Sequence, residues 1–579
     1  MAQFEVWAPN AQRVEVLVRS ERIEMARDER GWWRVEAPQA HPADYYGFSL
    51  DGGDPLPDPR SAWQPLGVHG SSRLLDHSSF DWTDGEWRGV APPGDIVYEM
   101  HVGTFTDQGT FDAAAAKLDH LVDLGAGAVE IMPVAEFPGD RGWGYDGVDL
   151  YAPHHSYGGP DGLKRFVDAC HGRGLGVILD VVYNHLGPDG NYLGRFGPYF
   201  SDKYSTLWGD SVNLDGPGSD EVRSFFIDNA LGWLEDYHCD GLRVDAVHAI
   251  FDQSAVHFLE ELSARVDELK NSLGRTLFLV AESDLNDPRI VTPREAGGYG
   301  VNAAWSDDFH HALHALLTGD RSGYYADFGS VEQVAKALRS VYVYDGAFSG
   351  HRGRRHGRPV GDLPGTRFFG YVQNHDQVGN RALGERSSHL MSHELLKVGA
   401  ALVLTSPFVP LLFQGEEWGA STPFCYFTDH SDPQLAHAVS EGRWREFASF
   451  GWDPAAVPDP QDPETFNMSK LNWNELDEPL HAELLEWHKQ LIRLRRAEPA
   501  LHDGRRDLVN VRFDEAERWL ALERGPITVA CNFSDRLVSV PMHAGRAAQV
   551  LLTSVEPPEA RAGSVDLGPE SVTIFSAES

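Results

Sequence analysis

The stretch Asp240-Gly-Leu-Arg-Val-Asp-Ala-Val-His-Ala-Ile250 contains a short apolar run that carries one arginine and ends on a carboxylate. As a buried strand, it would place Asp245 at its carboxyl end, where parallel barrels build their active sites. A second run, Leu277-Phe-Leu-Val-Ala-Glu282, ends in the same way after an interval that suits one loop, one helix and the next strand. The two carboxylates are therefore predicted to be neighbours on one rim of a parallel barrel.

Two carboxylates on adjacent strand ends suit hydrolysis of a glycosidic bond, in which one is ionised and the other protonated. The alternative is that each carboxylate only caps the helix that follows it. Four predicted strand ends carry polar residues that packing does not require: Asp180-Val-Val-Tyr-Asn-His185, Arg243 with Asp245, Glu282, and Asn374-His-Asp376. This repetition favours a catalytic rim.

The chain of 579 residues is too long for one hydrophobic core. Short alternating runs with turn residues predict an N-terminal β-sandwich over residues 1–90, in which most aromatic side chains belong to the core and glucan binding stays open. Repeated strand, loop and helix patterns predict a (β/α)₈ barrel over 91–500, and its insertion at 186–217 is expected to form one wall of a cleft. Alternating runs return in 501–579 and predict a C-terminal antiparallel β-domain.

The formal net charge of −38 argues against binding to nucleic acid or to anionic membranes, since phosphate contacts need clustered Lys and Arg. The basic segment 351–358 is interpreted as a solvated loop. Four widely spaced cysteines indicate neither a zinc site nor a disulfide framework. Because no signal sequence and no apolar run of transmembrane length is found, we expect a cytoplasmic protein.

The four polar strand ends resemble the four short sequence regions of the α-amylase superfamily of glycoside hydrolases, over about 98–419. The resemblance implies a retaining double displacement with Asp245 as nucleophile, Glu282 as general acid/base and Asp376 as a carboxylate that binds sugar hydroxyls. Arg243 would keep the nucleophile ionised. The resemblance also implies that Tyr145 is an aromatic platform for the sugar at the cleaved bond. Further residues implied to bind this sugar are His185, His375, Gln377 and Asn380.

Calcium is frequent in this superfamily, and Asn184 matches the position of one ligand. No dense carboxylate cluster accompanies it, so neither a metal nor another cofactor is inferred. The pairs His154-His155 and His310-His311 suggest a rival mechanism, a metal-dependent barrel hydrolase. That rival leaves Arg243 beside Asp245 unexplained, because a guanidinium would repel a metal ion.

Within the superfamily, four stretches resemble the members that act on malto-oligosyltrehalose: residues 245–250, 281–287, 305–311 and 423–430. This resemblance implies hydrolysis of the α-1,4 bond next to the terminal trehalose unit. The leaving side must then accept two glucoses joined head to head, with polar groups that reject other ligands. Candidates for these groups are His248, Asp284, Asp308 and His311.

Two other functions remain open from the sequence. A branching or debranching enzyme of the same superfamily would share the three carboxylates and act on α-1,6 bonds or transfer chains. A catalytically silent barrel, serving as a scaffold or a glucan-binding module, is disfavoured because all three carboxylates and Arg243 are present. The oligomeric state is not predicted.

Overall fold

The computed structural model describes residues 2–90, 96–206, 209–449, 456–542, 548–557, 560–561 and 563–577. Over those residues, the helices all lack the combination of length and apolar character that crossing a membrane requires. The N-terminal part folds into two antiparallel sheets, β1-β5-β4 and β3-β2-β6-β7. Its strands are β1 (Ala2–Trp7), β2 (Val14–Val18), β3 (Glu21–Glu24), β4 (Ala26–Arg27), β5 (Trp32–Ala37), β6 (Tyr45–Leu50) and β7 (Ser72–Arg73).

Alternation of side chains explains these strands. In β1, Phe4 and Val6 are buried while Gln3 and Glu5 are exposed, as expected of a strand with one face on a core. Phe4 packs against Tyr46 of β6 with ring centroids 5.0 Å apart. The large aromatic side chains of this part are largely core residues, since Trp7, Trp33, Tyr46 and Phe48 are all buried.

Eight parallel strands form a closed barrel in the order β12-β15-β16-β17-β20-β21-β8-β9. The strands of the central part are β8 (Val97–Met100), β9 (Ala128–Ile131), β10 (Ala135–Glu136), β11 (Asp149–Pro153), β12 (Gly176–Val181), β13 (Phe200–Thr206), β14 (Gly209–Val212), β15 (Gly241–Val244), β16 (Phe278–Ala281), β17 (Ala303–Trp305), β18 (Phe348–Ser349), β19 (Arg354–Arg355), β20 (Phe368–Gly370) and β21 (Val409–Phe413). Every residue of the eight barrel strands is buried, which is why they read as continuous apolar runs. The predicted (β/α)₈ barrel is confirmed.

Helices surround the barrel and follow its strands. They are α1 (Val102–Phe105), α2 (Phe111–Ala115), α3 (Leu118–Leu124), α4 (Gly159–His171), α5 (Leu193–Phe196), α6 (Ser219–Glu235), α7 (Phe258–Leu273), α8 (Asp307–Thr318), α9 (Val331–Ser340), α10 (His375–Gly379), α11 (Ser387–Leu390), α12 (His393–Thr405), α13 (Pro433–Ser449), α14 (Pro463–Met468), α15 (Pro479–Ala497) and α16 (Pro499–His502). The run from Phe111 to Leu124 forms two short helices, α2 and α3, rather than one. Lys117 separates them because its backbone, at φ −103° and ψ 0°, leaves the helical path.

The C-terminal part packs a five-stranded antiparallel sheet, β22-β23-β24-β29-β26, against a three-stranded one, β25-β28-β27. Its strands are β22 (Val509–Asp514), β23 (Trp519–Arg524), β24 (Ile527–Asn532), β25 (Val538–Pro541), β26 (Ala548–Thr553), β27 (Ala560–Arg561), β28 (Ser564–Leu567) and β29 (Ser571–Ala577). Trp519, Val540, Val565 and Phe575 form a core between the sheets. The predicted fold class is thus confirmed, whereas the exact boundaries at 90/91 and 500/501 stay predictions. Residues 91–95, which follow the first boundary, lie outside the described residues.

Candidate active site

The carboxyl ends of β15 and β16 bring Asp245 and Glu282 to one rim. The two strands are adjacent and parallel, with Val244 opposite Ala281, so the residues that follow them share one edge of the barrel. Ala246, at φ +40°, lies in the left-handed region that side chains rarely adopt. This turn lets the Ala246 amide donate to Glu282 Oε2 at 2.7 Å.

Arg243 is the centre of the charged groups on this rim. Its fully buried guanidinium donates through Nη1 to Asp180 Oδ2 and to Asp245 Oδ1, both at 2.7 Å. Nη2 lies 3.8 Å from Glu282 Oε2, and the guanidinium carbon stands 4.4 Å above the Trp305 ring. A buried charge needs such partners, so one guanidinium holds three carboxylates in fixed positions.

Burial and charge give the carboxyl groups of the rim different acidities. Burial raises the pKa of Glu282, although the Arg243 charge opposes the rise and Asp245 adds to it. Burial also raises the pKa of Asp180 to about 7, against the same guanidinium. A site with one carboxylate bonded directly to arginine and a second one favoured in its protonated form can perform paired nucleophilic and acid/base chemistry.

Tyr145 and His375 form a stacked pair next to these carboxylates. Their ring centroids are 5.2 Å apart at 22°, and the Tyr145 hydroxyl contacts both His375 Nε2 and Asp180 Oδ2 at 2.7 Å. The His375 Nδ1 atom bonds to Glu99, whose other oxygen accepts the His375 amide at 3.1 Å. Burial alone would lower the pKa of His375, but Asp376 and Glu99 outweigh it and raise that pKa to about 9.

The other residues predicted for the cleaved-bond sugar lie around this pair. His185 contacts the Tyr145 carbonyl through Nε2 at 3.1 Å, and burial lowers the pKa of its imidazole. Asn380 donates to Asp376 Oδ1 at 3.2 Å from the exposed end of α10. Gln377 is buried, and its side-chain oxygen has no hydrogen-bond partner among the described residues.

On the predicted leaving side, Asp284 pairs with Arg352 from the basic segment. Arg352 Nη1 donates to Asp284 Oδ2 at 2.8 Å, and Nη2 contacts the other oxygen. Burial would raise the pKa of Asp284, but this bidentate pairing outweighs it and lowers that pKa. His248 accepts the Asp284 amide at 3.4 Å, and buried His356 bonds to the Asp284 carbonyl. The segment predicted as a solvated loop therefore reaches the rim through a charged pair and a buried histidine.

Asp308 and His311, both predicted to bind the trehalose unit on the leaving side, are buried. Asp308 Oδ2 accepts the amides of Val343 and Tyr344, both at 2.7 Å, and the side-chain amide of Asn286 at 2.9 Å. These bonds fix a loop, so the carboxylate is used within the fold. His311 is buried, 4.7 Å from the Tyr324 ring centroid, and burial lowers its pKa to about 3.

Asp307, one residue earlier, faces the other carboxylates instead. Its Oδ1 accepts the Tyr371 hydroxyl at 2.6 Å. Burial, aided by the charge of Glu282, raises the pKa of Asp307 to about 8. Asp308 was selected from the sequence, and its Oδ2 accepts backbone amides, whereas Asp307 was not selected.

The histidine pairs do not converge on the rim carboxylates. His154 and His155 meet Glu136, forming a group whose nitrogen and oxygen atoms could reach one metal ion. The Glu136 oxygens accept His155 Nδ1 at 2.6 Å and the His155 amide at 2.9 Å, whereas the buried His154 Nε2 has no hydrogen-bond partner among the described residues. His310 is buried and bonds to the Tyr325 hydroxyl at 2.8 Å.

Three residues of the site were not selected from the sequence: Glu99, Asp307 and Arg352. Glu99 had a visible signal, because a charged residue inside the apolar run 96–101 needs a partner. Arg352 had none, since it reaches Asp284 from a hairpin distant in the chain.

Three family models match separate parts of the chain. The family "Alpha amylase, catalytic domain" matches residues 78–203. Carbohydrate-binding module 48, the isoamylase N-terminal domain, matches 1–63, and a domain of unknown function matches 504–574.

Several curated relatives share about half of the residues. The malto-oligosyltrehalose trehalohydrolase of Arthrobacter ramosus is 52% identical over 94% of this chain and 95% of its own. The enzyme of the same name from Deinococcus radiodurans is 43% identical over 90% and 86%. A 1,4-alpha-glucan branching enzyme of Corynebacterium jeikeium is 28% identical over 72% of this chain and 60% of its own.

Among solved structures, a Salmonella typhimurium protein described as an alpha amylase superposes with a TM-score of 0.91 at 39% identity, covering 99% of this chain and 97% of that one. The apo pullulanase of Paenibacillus barengoltzii, at 20% identity and a TM-score of 0.74, covers 100% and 93% and shares the fold.

Proposed function

Because the chain belongs to the malto-oligosyltrehalose trehalohydrolase family of α-amylase-type glycoside hydrolases, we propose that it hydrolyses the α-1,4 bond next to the terminal trehalose of malto-oligosyltrehalose. The products are free trehalose and a shortened malto-oligosaccharide. The observation that carries the proposal is the buried Arg243, which bonds to Asp245 and lies 3.8 Å from Glu282.

Asp245 is the nucleophile in this proposal. Its contact with the Arg243 guanidinium stabilises the ionised carboxylate, which attacks the anomeric carbon to form a covalent glycosyl-enzyme. The bond to the leaving oxygen breaks at the same time, so positive charge develops on the sugar ring and is stabilised by the carboxylates around it.

Glu282 is the general acid/base. A carboxyl whose pKa is raised by burial keeps its proton to higher pH than a free carboxyl does, and it can donate that proton to the departing trehalose oxygen. The same group then accepts a proton from the water that attacks the glycosyl-enzyme. The Ala246 amide, 2.7 Å from Oε2, holds the carboxyl in one orientation for both steps.

The sugar at the cleaved bond is held by Asp376, His375 and Tyr145. The stacked Tyr145 ring offers an apolar face for sugar C–H bonds. A protonated His375, kept charged by Asp376 and Glu99, bonds through Nε2 to the Tyr145 hydroxyl and so holds the platform on which the sugar lies. His185, Gln377 and Asn380 complete this subsite, and the partnerless Gln377 oxygen is an acceptor available to a hydroxyl.

The trehalose unit is recognised by groups on the loops after β15, β16 and β17. Asp284, clamped by Arg352, and the neighbouring His248 present oriented polar atoms there. At the start of α8, we assign the contact with the trehalose unit to Asp307 rather than to Asp308, because Asp308 Oδ2 already accepts the amides of Val343 and Tyr344. His311, buried against Tyr324, belongs to the same proposed subsite.

The domain division at 1–90, 91–500 and 501–579 belongs to the same proposal, with the N-terminal module bracing the barrel. Arg60 in the first part supports this role because it donates to Asp228 of α6 at 3.0 Å and to Tyr151 at 2.9 Å. The cytoplasmic location expected from the sequence stays a prediction.

Product analysis by chromatography tests the proposal. Maltotriosyl-trehalose, maltopentaose and amylopectin are each incubated with the purified chain. Rapid trehalose release from the first, with little action on the others, is expected. New α-1,6 branches or debranched chains from amylopectin would contradict the proposal and favour the branching or debranching alternative. Asp245→Ala should abolish turnover of the first substrate, and retained turnover would refute the role of Asp245.

A further inference from the structure

A cavity of about 570 Å³ lies outside the candidate active site, between the loop after α1 and the segment that joins α14 to α15. Its size falls within the range of about 300–1,000 Å³ that is usual for sites of small ligands. The lining residues come from 106–108, 467 and 470–474, together with Lys117, and none of them belongs to the rim described above.

The side chains of this cavity suit a neutral ligand with many hydroxyl groups. Four amides line it: Gln108, Asn467, Asn472 and Asn474. Each side-chain amide supplies both donors and an acceptor, which matches the paired hydroxyls of a sugar. Trp473 adds an apolar surface of the kind that packs against sugar C–H faces.

Trp473 is a fixed part of the wall. Its Nε1 donates to the Phe105 carbonyl at 2.7 Å, and its ring packs against Trp418 with centroids 5.2 Å apart. The adjoining Leu471 amide donates to the Thr104 carbonyl at 2.9 Å. The cavity is therefore attached to the segment that follows β8, and its wall is rigid at the Trp473 ring.

The charges in the cavity do not favour an anion. Lys470 Nζ already donates to the Asp107 carbonyl at 2.7 Å, and Lys117 Nζ stands 4.3 Å from the Trp473 ring centroid. Asp107, an acidic residue, is also among the residues that line the cavity. Lys117 has a long flexible stem, so it can move aside and uncover the aromatic face for a ligand.

We propose that this cavity is a second glucan site, which binds a short α-1,4-linked stretch of a malto-oligosaccharide without cleaving it. The choice of an α-1,4-glucan rests on the proposed function, and the site itself rests on the amides, the tryptophan and the volume. It would retain long chains on the enzyme and raise the local concentration of ends that can enter the cleft.

Isothermal titration of maltoheptaose into the full chain carrying Asp245→Ala tests this site. Two classes of binding site are expected. The double substitution Asn467→Ala/Asn474→Ala, added to that chain, should weaken one class at least tenfold. Both amides are exposed, so the fold should tolerate their loss. Asn271→Ala, which removes an exposed amide from α7, is the matched control and should change neither class.

A single class of site that the double substitution leaves unchanged would overturn the proposal. Thermal stabilisation by inorganic phosphate without a second class for maltoheptaose would also overturn it, in favour of an anion site. Trehalose release from maltotriosyl-trehalose is measured in parallel with the chain that keeps Asp245. Absence of trehalose there refutes the proposed function alone, since the second class of site is observed independently of hydrolysis.

Discussion

Replacement of Arg243 by lysine is expected to reduce turnover strongly while preserving charge. A single ammonium can replace one of the two 2.7 Å contacts that Arg243 makes with Asp180 and Asp245, and the other contact is lost. Hydrogen bonds to charged groups are worth about 1.5–3 kcal/mol, so kcat for trehalose release should fall roughly 10- to 150-fold. The lysine keeps a positive charge near Glu282, so the pH at which the basic limb of the kcat/KM profile falls should change little.

Arg243→Gln separates the charge from the geometry. Arg243 also lowers the pKa of Glu282, so without its charge that pKa should rise and the basic limb of the kcat/KM profile should move to higher pH. Arg495→Lys is the matched control, because Arg495 is also buried but bonds to the backbone carbonyls of Leu404, Ser406 and Phe408. It should lower stability and leave the pH profile in place. Near wild-type kcat in Arg243→Lys, together with an unmoved profile in Arg243→Gln, would refute the reasoning.

Three further outcomes are expected. Glu130 is buried without a partner for either carboxyl oxygen among the described residues, and burial raises its pKa well above the usual range. Glu130→Gln should therefore keep kcat, with a Tm at pH 8 no lower than that of the wild type. A large loss of kcat or Tm would show that the ionised form is needed. Burial would lower the pKa of His171, but Asp240 and Asp84 outweigh it and raise that pKa. The stabilisation of the fold by protonated His171 is therefore complete below the ordinary imidazole pKa and is lost as pH rises through the folded pKa. The Tm deficit of His171→Gln should be large at pH 5.5 and shrink towards pH 9, whereas a constant deficit would contradict this. Tyr145→Phe keeps the ring but loses two hydroxyl contacts, so kcat/KM should fall about tenfold for a net loss near 1.4 kcal/mol, and an unchanged value would exclude a role for the hydroxyl.

The barrel and its two leading carboxylates could be predicted because buried parallel strands leave continuous apolar runs. Asp245 and Glu282 stand directly after such runs, and the residues before them pair in the expected order, Val244 with Ala281. Other boundaries do not follow from the apolar pattern, since strand β20 ends at Gly370 although apolar residues continue to Val372. Asn374 instead caps α10, accepting the amides of Asp376 and Gln377.

The leaving side could be predicted only in part, because it depends on side-chain directions and distant loops. Asp307 and Asp308 have the same chemistry and adjacent positions at the start of α8, and only the path of the chain after β17 decides which one faces the rim. Arg352 reaches Asp284 from a hairpin whose position no local pattern specifies. Sequence reasoning finds strand ends because they follow from period and burial, and it misses partners that tertiary folding supplies.

The most direct test of the account is a proton NMR time course of maltotriosyl-trehalose with the wild-type chain, recorded before the products mutarotate. The account predicts that trehalose appears together with maltotriose whose new reducing end is the α-anomer, because Asp245 and Glu282 act in two successive displacements. Initial appearance of the β-anomer would contradict a covalent intermediate on Asp245. Cleavage at other bonds, without trehalose as the first product, would contradict the assignment of the substrate.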